Sequence, residues 1–73
     1  MNSRREGLAR ILKIAEMLRR NQHFNASLLT DIYKVDRKTI MRDLEILRLH
    51  LDIAWDVFEG TYFLRNPQKP KLF

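Results

Sequence analysis

The sequence predicts a mostly α domain that closes with a small β-hairpin. Three observations predict it. Apolar residues recur at helical spacing from Leu8 to Leu18 and again from Ile40 to Leu47. Two good N-cap types, Asn25 and Asp36, bracket a short apolar-rich segment. After Leu49 the apolar period drops to two, through Leu51, Ile53 and Trp55. The expected elements are helices near 4–20, 26–33 and 37–49, followed by a hairpin near 51–65.

Each element has its own chemistry. Ser3 and Glu6 have capping-box spacing, so the first helix is expected to start near Arg4. Its apolar face is expected to comprise Leu8, Ile11, Leu12, Ala15 and Leu18, with Arg10, Lys13, Met17 and Arg20 on the other side. Asn21-Gln22-His23 ends it, and a short strand is possible around His23 and Phe24. Asn25 then caps a helix from Ala26 to Tyr33. Leu29 and Tyr33 are expected in the core and Leu28 and Ile32 at the surface. Lys34 stands at the turn, Val35 fills the corner, and Asp36 caps the third helix. On that helix Ile40, Leu44 and Leu47 share one face, and Lys38, Arg42 and Glu45 lie nearly opposite. Met41 and Arg48 fall at the border. Such a helix is either a solvated amphipathic helix or one anchored in a core with a basic face turned to a partner. In the hairpin, Ile53, Trp55, Tyr62 and Leu64 are expected on the buried side, joined by a loop of about four residues that contains Gly60. Residues 66–73 hold both prolines and two lysines, the composition of a tail or linker.

Seventy-three residues make one small domain, expected at 1–65, with a tail at 66–73. A chain of this size buries only about 60% of its surface, so each large apolar residue counts. There are no cysteines, which removes disulfides, thiolate metal sites and a cysteine nucleophile, and suits a reducing cytoplasm. No apolar run approaches the roughly 20 residues of a membrane span. The net charge is +5 and is unevenly spread. Residues 1–22 carry six basic and two acidic side chains, and residues 51–64 carry only Asp52, Asp56 and Glu59. A basic domain attracts nucleic acid, anionic membranes and acidic proteins. Ser3 and Ser27 are accounted for by helix starts, and no nucleophile–base–acid set can be assigned, so no catalysis and no cofactor is expected. His50 and Asp52 offer only two metal ligands, and His23 is distant in sequence.

Three helices followed by a hairpin is the winged helix-turn-helix order. The run from Phe24 to Ile40 resembles the second helix, turn and recognition-helix start of DeoR-like and WYL-domain transcriptional regulators. Arg37-Lys38-Thr39-Ile40-Met41-Arg42-Asp43-Leu44 resembles that family's "basic, Thr, Ile, any, Arg, Asp, Leu" signature. Gly60-Thr61-Tyr62-Phe63-Leu64 resembles the close of its wing. The resemblance spans about residues 8–65. It implies a recognition helix in the major groove of double-stranded DNA, with Arg37, Lys38, Thr39, Met41 and Arg42 facing it. Arg42 would meet a phosphate or a guanine edge, and Asp43 would fix a neighbouring arginine. The resemblance further implies a cytoplasmic, nucleoid-associated regulator. Such a regulator acts as a homodimer or as part of a larger chain, with a sensor domain after the wing. Lys34 stands in place of the family's turn glycine, and Thr30 in place of a small alanine. The wing carries Asp56 and Glu59 and no basic residue. The competing expectation is a winged helix that contacts another protein without binding DNA, through Met17, Leu28, Ile32 and Phe58.

Overall fold

Helix α1 spans Ser3–Arg19, α2 spans Ala26–Tyr33 and α3 spans Arg37–Arg48. Strands β1 (Ile53–Asp56) and β2 (Thr61–Leu64) then form a two-stranded antiparallel hairpin. This computed structural model describes residues 3–65, with side chains from Arg5 onward. The cap proposed for the Ser3 side chain and the tail at 66–73 lie outside the described residues.

The helix ends follow from local chemistry. Asn21 closes α1 in a left-handed conformation, φ 62°. Its N–H donates to the Leu18 carbonyl (3.0 Å) and that of Gln22 to the Met17 carbonyl (3.1 Å), the Schellman arrangement with asparagine at the left-handed position. The Asn25 side chain accepts from the Leu28 N–H at 2.8 Å and starts α2. Lys34 ends α2, also left-handed at φ 56° and ψ 43°. Its N–H donates to the Thr30 carbonyl at 2.9 Å. Only Lys34, Val35 and Asp36 separate α2 from α3. That tight corner demands the left-handed residue, whichever side chain is present.

The core is built from all five elements. Ile14 and Leu18 of α1, Leu29 of α2, and Ile40 and Leu44 of α3 are almost completely buried, as is Phe24. Leu47, Leu51, Ile53, Tyr62 and Leu64 close it from the hairpin side. Strand register pairs Ile53 with Leu64 and Trp55 with Tyr62. The possible strand near Phe24 is a single bridge. The Phe24 N–H donates to the Tyr62 carbonyl (3.2 Å) and the Tyr62 N–H to the Phe24 carbonyl (2.6 Å). The hairpin is thereby stitched to the α1–α2 connection. In the four-residue loop one Asp56 carboxylate oxygen accepts from the N–H groups of Phe58 (2.9 Å) and Glu59 (3.1 Å). Gly60 takes φ 67°, a conformation that costs glycine nothing.

Three expectations need correction. The buried face of α1 is rotated toward Ile14, which the expected stripe omitted. Leu8 and Leu12 are 59% and 60% exposed, whereas Met17, assigned outward, packs on the core. Arg10, also assigned outward, turns in to pair with Asp43 of α3; its aliphatic stem serves the packed side while its head finds a carboxylate. Trp55 is 46% exposed. Tyr62 takes the buried place opposite it, and the indole lies tilted over that ring with centroids 4.6 Å apart.

Candidate nucleic-acid interface

Helix α3 is seated from three directions. Ile40, Leu44 and Leu47 enter the core. Asp43 is 3% exposed, and both its oxygens accept from Arg10, one from Nε and the other from Nη2 at 3.2 Å. A two-pronged guanidinium–carboxylate pair fixes rotation as well as position, because the fork is planar. The carboxylate holds the Arg10 guanidinium above its usual pKa, chiefly through this hydrogen bond. On the hairpin flank, Tyr62 Oη donates to Met41 Sδ at 3.7 Å.

The N-terminal turn is set by Asp36. One carboxylate oxygen accepts from the Thr39 N–H (2.9 Å) and from the Thr39 hydroxyl (2.6 Å). The hydroxyl bond, then the N–H bond, pull the Asp36 pKa below its ordinary value, with Lys38 and Arg42 adding to the effect. No acidic residue lies within the first turn itself. Arg37 and Lys38 therefore stand where the helix dipole is positive, a placement that is unfavourable until an anion arrives.

The five residues expected to face DNA are not alike in the structure. Arg37, Lys38 and Arg42 are exposed. None is in an ion pair with a described residue, whereas Arg10, Arg20 and Arg65 each have a carboxylate partner. Thr39 is half-buried and its hydroxyl proton is committed to Asp36, so it keeps only acceptor capacity and a methyl group. Met41 is half-buried and its sulfur is engaged by Tyr62. Glu45, Ile46 and Leu49 are exposed further along α3. Ile46 and Leu49 were not anticipated at this surface. Each lies within one residue step of Arg42 around the helix axis, and that angular neighbourhood was the available signal.

The hairpin presents a different surface. Its loop carries Asp56, Val57, Phe58 and Glu59, with Phe58 98% exposed. Arg65, the first cation after it, lies 3.8 Å from the Asp52 carboxylate. Its N–H donates to the Asp52 carbonyl at 2.9 Å. His23 and Phe63 stack with centroids 5.1 Å apart. Among the described residues no cluster of three or more His, Cys, Asp or Glu is placed to hold a metal ion. No helix there is long and apolar enough to cross a membrane. Comparison with family models, curated proteins and solved structures gives no match for this chain.

Proposed function

We propose that this chain is a winged helix-turn-helix domain that binds double-stranded DNA as a transcriptional regulator, with α3 as its recognition helix. The observation that carries the reading is a cluster of cations at the start of α3. Arg37, Lys38 and Arg42 stand exposed, without an ion-pair partner among the described residues, on the outward side of a firmly seated helix. The short α2–α3 turn and the hairpin after α3 match the order of that fold. A helix of twelve residues is about 18 Å long, and the major groove, roughly 12 Å wide, admits one. In this reading Arg37 and Lys38 at the helix N-terminus hold phosphate, and Arg42 reads a base edge or positions the helix on the backbone. A single small module has limited specific affinity, so two copies or a longer chain would act together.

Fluorescence anisotropy with duplex DNA at low and moderate salt tests this. The parent should lose affinity steeply as salt rises. Arg42→Ala and Lys38→Ala should bind more weakly, each with a log–log salt slope shallower by about one. Variants that bind as well as the parent would remove the site assignment. A parent that fails to bind even at low salt would leave the protein-contact reading, for which the exposed Phe58 speaks.

A further inference from the structure

Val57, Phe58, Leu8 and Leu12 are the four most exposed large apolar side chains among the described residues; they form two surfaces, and the charged borders of the two are opposite. The first is the hairpin tip, where Val57 and Phe58 are 75% and 98% exposed. It is held in a defined shape: Asp56 accepts from Phe58 and Glu59, and the Gly60 N–H donates to the Asp56 carbonyl at 2.7 Å. Acidic residues stand on either side of the apolar pair, Asp56 before it and Glu59 after it. The second surface is on α1. Arg5, Leu8, Leu12 and Arg19 fall within about 60° of one another around the helix axis, so they line one side of α1 as a seam, while Ala15 in the same row is buried in the core. The seam's two central leucines are largely exposed, and an exposed arginine stands toward each end. The carboxylate nearest the seam, Glu16, is already paired with Arg20 at 2.8 Å.

We infer that the hairpin tip of one copy of this chain docks on the α1 seam of a second copy. Phe58 and Val57 cover Leu8 and Leu12, and Asp56 and Glu59 face Arg5 and Arg19. Charge selects this pairing over the two symmetric alternatives. Seam against seam places arginines near arginines in either orientation, and tip against tip opposes carboxylates; like-charge juxtaposition is strongly disfavoured. Tip against seam removes both apolar surfaces from water and pairs opposite charges at the rim. Two-fold closure uses the contact twice, whereas a contact that does not close would build a chain of copies. The inference is independent of DNA binding, since neither surface includes Arg37, Lys38 or Arg42.

Sedimentation over a wide concentration series, without DNA, tests it. The parent mass should rise from the 8.8 kDa monomer toward twice that value or beyond. Phe58→Ser and Leu12→Ser should each weaken association about tenfold or more, as expected for a central anchor. Both side chains are largely exposed, so circular dichroism of each variant should match the parent. The deciding experiment mixes the two variants. Phe58→Ser retains an intact seam and Leu12→Ser an intact tip, so the mixture should associate more strongly than either alone. Glu59→Arg should weaken association, and Arg19→Glu added on the other copy should restore part of it. A parent that stays monomeric throughout, or a mixture no stronger than its components, overturns the inference.

Discussion

Removing the Asp43 carboxylate would leave a largely covered guanidinium without its partner. Arg10 and Asp43 belong to different helices, and their side chains are 14% and 4% exposed. Breaking a buried pair leaves the other charge uncompensated. Asp43→Ala should therefore cost about 3 kcal/mol, the lower end of the usual range because Arg10 retains some access to water. Replacing both partners, Arg10→Met with Asp43→Leu, should cost much less than the sum of the single changes. Urea titration of the parent, Arg10→Met, Asp43→Leu and the double variant measures the coupling; additive losses would mean that the pair contributes nothing as a pair. Lys34 provides the opposite case. Its left-handed backbone is unfavourable for any residue with a Cβ, so Lys34→Gly should stabilise the domain by about 0.5–1 kcal/mol net of the added unfolded-state entropy. A thermal melt should move up by several degrees; a fall would show that the lysine side chain contributes a contact outweighing the strain. That Asp43 would fix a neighbouring arginine was legible from the family resemblance. The identity of that arginine was not, because a wheel for α1 carries no information about which carboxylate faces it from α3.

At the scale of elements, the helix–turn–helix segment rests on capping groups, and one of them titrates. Thr39 holds the Asp36 pKa below its unfolded value of 3.8. A depressed carboxylate contributes stability above its unfolded pKa and loses it as pH falls through the folded one. The start of α3 should therefore weaken in acid, below about pH 4. Asp36→Asn caps without titrating, so its stability should vary less with pH over that window. Melts of both proteins followed by circular dichroism should converge in acid, and parallel pH profiles would remove Asp36 from the account. Both N-caps, the turn and the four-residue hairpin loop were legible in the sequence because each depends on neighbours a few residues away. Partition of the α1 face was not. Leu8 and Ile14 are equally apolar, and only packing against α3 and β2 decides which is covered. Trp55 is similar: alternation places it on the same side as Tyr62, but the ring at the paired position occupies the space.

At the scale of the whole molecule, a single small core is shared by helices and hairpin. Leu44 is buried in it, 2% exposed. Truncating such a residue costs about 2–5 kcal/mol, against a total of roughly 3–5 for a domain this small. Leu44→Ala should therefore be largely unfolded at ambient temperature, which circular dichroism would reveal as lost helix. In the parent, helix content and Trp55 fluorescence should report one coincident transition, since an isolated hairpin is not stable in water. Separate transitions would mean that the hairpin is dispensable to the helices. The two-residue bridge between Phe24 and Tyr62 also bears on the order of events during synthesis. Phe24 emerges from the ribosome well before Tyr62, yet its N–H and carbonyl both have their partners on β2. Until the hairpin clears the exit tunnel, the α1–α2 connection carries an unfilled edge and the helices lack Ile53, Tyr62 and Leu64 as a floor. The helical segments must wait, partly formed, for the last strand, so a ribosome stalled before Leu64 has emerged should display a chain that proteases cut readily between α1 and α2.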